Sequence, residues 1–161
     1  MEKLTVQSEF EIYEGLQELP EDIQDLMSLA VETRKNAYAP YSNFKVGAAI
    51  LLANKEVVVG NNQENASFPS GLCAERVAIY HAGARFPEVR IKAIAITASS
   101  DKYVTSAPIP PCGACRQAIA EYEINQESPI PIYFMGAVGK VMKSNSLKGL
   151  LPLLFDKNNF I

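Results

Sequence analysis

The sequence has few cysteines, a single histidine, no long apolar run and no concentration of positive charge. Each shortage excludes something. No apolar stretch reaches the about 18 residues that a membrane-spanning helix requires, so no membrane partner is expected. The first residues, Met1-Glu2-Lys3-Leu4-Thr5, lack the basic-then-apolar order of a secretory leader. Fifteen Lys and Arg side chains are scattered against 18 Asp and Glu, for a net charge of −3. A polynucleotide partner calls for clustered positive charge, so none is expected. Three cysteines in 161 residues are too sparse, and odd in number, for a secreted disulfide framework. Thiols held free for metal fit a reducing cytoplasm. No internal repeat, low-complexity tract or linker interrupts the chain, and its length suits one domain over residues 1–161.

What is present reads as alternating helix and strand. Residues 3–13 carry spaced apolar positions (Leu4, Val6, Phe10, Ile12) and suit an extended arm or edge strand. Pro20-Glu21-Asp22 opens a helix, since proline and acids favour a first turn. Ile23, Leu26, Met27, Ala30 and Val31 then recur at helical spacing, and Arg34 and Lys35 suit the negative end. Ala39 to Asn43 is a loop. Phe44 to Ala53 and Glu56 to Val59 form a hairpin around Asn54-Lys55. Gly47, Ala48 and Ala49 leave room for another element, or a ligand, to approach its first strand. Gly60 to Asn65 is polar and offers a hydrogen-bonding rim. A helix opens at Cys73, with Gly83 placed to stop it. Residues 91–98 and Ile130 to Met135 read as buried strands, and a second short helix runs from Gly113 to Tyr122. Lys140-Val141-Met142 follows a glycine-flanked turn, and Leu147 to Phe155 is an apolar segment broken by Pro152. This order predicts an α/β protein: a three-layer α/β/α sandwich on a mixed, five-stranded sheet.

All three cysteines lie in two short motifs, Cys73-Ala74-Glu75 and Pro111-Cys112-Gly113-Ala114-Cys115. Two residues separate Cys112 and Cys115, so a helix start aims both sulfurs at one point. By spacing alone this is a zinc half-site or a thioredoxin-like redox pair. Cys73, 39 residues upstream and also at a predicted helix start, favours the metal. Positive helix ends favour thiolates. Three thiolates around Zn2+ leave one net negative charge, and Arg76 and Arg116 are placed to offset it by hydrogen-bonding the sulfurs. A closed structural zinc site needs a fourth protein ligand. His81 lies too far along its helix from Cys73, about 12 Å, to serve. The fourth position is then left for water, with Glu75 beside it as a proton carrier. The plainer reading of Glu75 is a first-turn glutamate placed by the helix dipole.

Written as Cys-Ala-Glu and Pro-Cys-Gly-Ala-Cys, the pattern resembles the zinc-dependent nucleoside deaminases. More narrowly it resembles the small, all-cysteine cytidine deaminases. Five blocks carry the resemblance in order: Asn36 to Ala49, Asn62 to Ser67, Cys73 to Arg76, Pro111 to Gln117, and Leu150 to Phe155. The resemblance implies the cytidine deaminase fold and one Zn2+ per subunit on Cys73, Cys112 and Cys115. It implies hydrolytic deamination of cytidine and 2'-deoxycytidine to uridine and 2'-deoxyuridine, with Glu75 moving the protons. It further implies that Asn62 and Glu64 hold the ribose hydroxyls, that Phe44 packs on the pyrimidine, and that Ala74 bonds the base through its backbone. Its usual assembly is a homotetramer in which Phe155 reaches the base in a neighbouring subunit. The chain departs from the pattern at Phe68-Pro69, where Tyr-Gly is common, in residues 1–20, an N-terminal extension, and in a long segment around Asp101 to Ile109. These departures bear on the pocket lip and the breadth of substrate. Rival readings are deamination of another aminopyrimidine, a Cys112–Cys115 redox protein marked by a reversible disulfide, and a zinc-binding module without turnover.

Overall fold

Near-continuous apolar runs build the central strands, covered on both faces, and apolar residues at every third or fourth position mark the first helix in the computed structural model, which describes residues 1–160. In chain order the elements are β1 (Glu11–Tyr13), α1 (Glu21–Lys35), β2 (Phe44–Leu52), β3 (Val57–Asn61), α2 (Ala74–Arg85), β4 (Ile91–Ser100), α3 (Gly113–Asn125), β5 (Ile132–Met135) and β6 (Val141–Ser144). The strands form one sheet in the order β1-β6-β5-β4-β2-β3. Only β4 and β5 run parallel, and α3 is the crossover that parallel neighbours require. Every other pairing is antiparallel.

The expected layers and mixed sheet are present, but the sheet has six strands, not five. The additional strand is β1, the end of the predicted N-terminal arm. Glu11, Ile12 and Tyr13 pair with Lys143, Met142 and Val141. The Glu11 carboxylate fastens the pairing, accepting from Lys143 Nζ and Asn145 Nδ2 at 2.9 Å each and from the Tyr13 hydroxyl at 2.7 Å. The spaced apolar positions suit an edge strand, but partners so distant in sequence leave no local sign of the pairing.

Two cores flank the sheet. On one face α1 buries Ile23, Leu26, Met27 and Ala30 against Ala49, Ala93 and Ala95. The small strand residues let the helix settle close; a Cβ on Gly47 would collide with the Ala30 carbonyl. The room expected beside β2 is thus filled by a helix. On the other face Ile50, Ile94, Ile96, Ile132 and Phe134 meet Ala78 and Ile79 of α2 and Ile119 and Ala120 of α3. Each fully buried Leu or Ile contributes about 1.5–3 kcal/mol. α2 runs past Gly83 to Arg85 instead of stopping there. A Cβ at 83 would stand 2.6 Å from the Tyr122 hydroxyl, so this glycine serves the packing of α2 on α3. Because α2 precedes β4 and α3 follows it, both helices begin toward the same end of the sheet. Among the described residues no helix is long and apolar enough to cross a membrane.

Candidate metal centre

Two helix N-termini meet at the three thiols. Cys73 is the N-cap of α2 and Cys112 the N-cap of α3, both with extended backbone and neither side chain bonding an amide. An Asp or Ser at these positions would turn inward to cap the helix. The cysteines leave their sulfurs free, with the positive helix ends behind them. Cys115, one turn into α3, is fully buried. Cys112 Sγ lies 3.8 Å from Cys73 Sγ and 3.4 Å from Cys115 Sγ, and all three sulfurs fall within 4.8 Å of one another. A tetrahedral ion with Zn–S of about 2.3 Å sets its sulfurs about 3.8 Å apart. The donor set therefore fits zinc. No disulfide joins these cysteines. Among the described residues this is the group of His, Cys, Asp and Glu gathered closely enough to hold a metal. His81 is exposed on α2 and takes no part.

The electrostatics follow from this packing. The neighbouring Cys115 thiol, with Arg76 and Cys112, holds the Cys73 thiol down at about 5 against the effect of burial. Cys115 is pushed up in turn by its bond to Cys73 and by burial. Arg76 Nη2 stands 3.8 Å from Cys73 Sγ, as expected of a residue three positions on along a helix face. Arg116 does not meet a sulfur, contrary to the expectation. Its Nε donates to Pro111 O and its Nη1 to Leu150 O.

Glu75 is 5% exposed, and its Oε2 is buried without a hydrogen-bond partner. Burial is the main force raising its carboxyl to about 7, and the charge on Cys73 adds to it. A carboxylate so placed is costly unless something supplies the missing partner.

Beside the thiols opens a cavity of about 500 Å³, lined by Tyr41, Asn62, Glu64, Phe68, Cys73 and Arg76 among others. Glu64 accepts from the amides of Tyr41 and Ser42, at 2.9 and 3.2 Å, and from the Ser42 hydroxyl. Burial works against its ionisation, but these bonds prevail and its pKa is lowered. Asn62 is spent mainly on the backbone: Oδ1 accepts from Val46 N at 2.7 Å and Nδ2 donates to Phe44 O at 2.9 Å. Phe44 itself is half-buried at the start of β2 and is not part of the cavity wall. Ala74 is fully buried, and as the first residue of α2 its N–H has no acceptor within the helix. Phe155 lies outside this cavity, 58% exposed, with its ring edge-on to Phe160 at 5.2 Å. Sequence reasoning missed the Ser42 clamp and the Tyr41–Phe68 pair, 5.8 Å apart at the lip. A larger cavity, about 760 Å³, is lined by the C-terminal halves of α2 and α3 but holds none of the cysteines. Chemistry, not size, marks the site.

An α/β sandwich with three converging thiols and a buried, unpartnered carboxylate defines a zinc protein of catalytic type. Residues 20–127 match the family described as cytidine and deoxycytidylate deaminase zinc-binding region, and the chain belongs to that family. A cytidine deaminase of Halalkalibacterium halodurans is 46% identical over 100 residues, covering 62% of this chain and 71% of the relative. One from Sporosarcina psychrophila is 36% identical over 141 residues, covering 86% and 94%. The crystal structure of cytidine deaminase from Burkholderia pseudomallei superposes with a TM-score of 0.70 at 38% identity, covering 81% of this chain and 97% of that one.

Proposed function

We propose that the protein hydrolyses cytidine and 2'-deoxycytidine to uridine and 2'-deoxyuridine with release of ammonia. The observation that carries this reading is Glu75, a buried carboxylate with a free oxygen and a pKa raised by burial to about 7, two residues from a thiol ligand. Cys73, Cys112 and Cys115 would hold Zn2+, which when bound would supply the Lewis acidity that brings the pKa of water to about 7. Glu75 takes a proton from the attacking water and delivers it to N3 of the base. Water oxygen bonds to C4, which becomes tetrahedral. The second proton passes to the exocyclic nitrogen, the C4–N bond breaks, and ammonia leaves. A general acid and base near pH 7 is suited to both transfers.

The remaining residues bind and orient. Asn62 and Glu64 hold the ribose hydroxyls; the lowered pKa of Glu64 keeps it an acceptor. Asn62 has bonding capacity left after its two backbone contacts. Phe44, outside the cavity wall but tied through its carbonyl to Asn62 on it, would turn its ring to the pyrimidine when the base is bound, and the free amide of Ala74 meets the base. Arg76 offsets thiolate charge. The exposed, outward-facing Phe155 supports a homotetramer in which it completes a neighbouring site. Free thiols support a cytoplasmic setting. The whole chain forms one deaminase domain, with residues 1–20 as its extension.

Conversion of cytidine by purified, zinc-loaded protein, followed by absorbance, tests the reading. Rapid formation of uridine is expected. Folded, zinc-bound protein that leaves cytidine and deoxycytidine unchanged overturns it.

A further inference from the structure

Arg116 bridges two segments that lie far apart in sequence. Its Nε donates to Pro111 O at 2.8 Å, and its Nη1 to Leu150 O at 2.7 Å. Pro111 immediately precedes Cys112. Leu150 follows the 3-10 turn Leu147–Gly149 and leads to Phe155. The same C-terminal segment is fastened to α3 twice more. Gln117 Nε2 donates to Phe155 O at 2.8 Å, and Glu123 accepts from Leu147 N at 2.9 Å. Of these three fastenings only Arg116 also grips the approach to a cysteine. Cys112 is the exposed member of the three and bonds no amide, so its backbone sets the position of its sulfur.

We propose that Arg116 is a positioning residue that couples loading of the metal site to docking of segment 147–155. A planar guanidinium presents its donors in a fixed fork, so one side chain ties both carbonyls in a single geometry. If the Pro111 carbonyl moves, Cys112 moves with it. When the metal fixes Cys112, the fork is held and Leu150 is held with it. Such coupling is reciprocal: a docked segment strengthens metal binding, and bound metal tightens the segment. The inference rests on Cys73, Cys112 and Cys115 being the metal ligands. It goes further by giving a role to a residue outside the substrate cavity, and by extending the site to a segment outside the matched residues 20–127.

The sequence suggested instead that the charge of Arg116 offsets the thiolates. Arg116→Lys separates the two, because lysine keeps the charge and loses the fork. Zinc affinity, measured by competition with a chromogenic chelator, is expected to fall about 10–100-fold in Arg116→Lys and Arg116→Gln alike. A second readout uses the unaltered protein. The amides of Leu150 and Leu151, bonded to Leu147 O at 2.8 and 2.9 Å, report docking by hydrogen exchange. Removing zinc should speed their exchange, and in zinc-loaded Arg116→Lys it should already be fast. Wild-type zinc affinity in Arg116→Lys overturns the proposal. So does exchange at Leu150 and Leu151 that ignores zinc in the unaltered protein, which stands even if the variants misfold. Failure of the unaltered protein to bind zinc at all sinks the metal reading itself, and this inference with it.

Discussion

Glu75 and Glu123 are equally hidden, at 5% and 6% exposure, on neighbouring helices. Their surroundings differ. Glu123, near the C-terminal end of α3, uses both oxygens. Oε2 accepts from the amides of Ile130 and Leu147 at 2.8 and 2.9 Å, and Oε1 from the Ser146 hydroxyl at 2.6 Å. Those three donors occupy both oxygens, as burial of a polar group requires. Glu75 sits at a positive helix end, where an anion is welcome, yet its Oε2 has no donor and its carboxyl rises to about 7. Burial alone therefore does not distinguish a catalytic carboxylate from a structural one. The count of donors does. The satisfied group clasps three pieces of chain together; the unsatisfied one is left ready to exchange a proton.

That contrast predicts opposite failures. Glu75→Gln should lower turnover of cytidine by at least about 10²–10⁴-fold, the usual share of a general acid and base. Zinc content should stay stoichiometric and the melting temperature should hold or rise, because a neutral amide is cheaper to bury. Near-normal turnover in this variant would remove Glu75 from the chemistry. Glu123→Leu should do the reverse. Two buried amides lose their acceptor at about 1–3 kcal/mol each, so denaturant melts should show a loss of about 2–6 kcal/mol. Turnover per zinc-loaded, folded molecule should fall far less than in Glu75→Gln. Glu123→Gln keeps an acceptor and should recover most of the stability. Equal stability of Glu123→Leu and the unaltered protein would erase the distinction between the two sites.

The two regions also differ in how far the sequence disclosed them. Cys73, Cys112, Cys115 and Glu75 were legible because their chemistry is written in short spacings at helix starts. Arg76 was legible for the same reason, lying one turn from Cys73. Arg116 was misjudged: adjacency to Cys115 suggested a sulfur partner, but neighbouring helix positions point about 100° apart. Its partners turned out to be carbonyls, one of them 34 residues away. Glu123 was invisible as a clasp, since Ser146 and Leu147 lie 23 and 24 residues on and only the order of the strands returns them. The helices showed in their apolar spacing and the buried strands in their continuous apolar runs. The sixth strand showed only as an arm or edge strand; its place in the sheet did not, because three residues pair with partners more than a hundred positions away. What depends on spacing along one element can be read early; what depends on topology appears only once the sheet is assembled.

Glu64 tests an intermediate case, a partly exposed carboxylate whose donors come from one loop. Glu64→Gln places an amide where the Tyr41 and Ser42 N–H groups now find charged oxygen. Hydrogen bonds to charge are worth about 1.5–3 kcal/mol, so KM for cytidine should rise roughly 10-fold or more while kcat changes less. Steady-state kinetics decides it. A fall confined to kcat would move Glu64 from binding into chemistry and blur its difference from Glu75.

The smallest effect belongs to Glu11, well partnered but on the surface. Its bond from Lys143, with those from Tyr13 and Asn145, brings its carboxyl from 4.5 to about 2. A lowered folded-state pKa stabilises above the unfolded value, and the contribution is lost as pH falls through the folded one. Docking of β1 should therefore be complete above about 4.5 and weaken as pH drops toward about 2. NMR signals of Ile12 and Tyr13, which pair with Met142 and Val141, report it directly. Concentrated salt should loosen β1 at any pH, since exposed ion pairs are screened. Glu11→Gln should remove the acid step and leave the strand weakly docked throughout. A midpoint at the ordinary carboxylate value would mean that Glu11 is not what holds β1. The donors that make Glu123 a clasp in the interior would then have no counterpart at the sheet edge, and burial would have to share with donor count in deciding what a carboxylate does here.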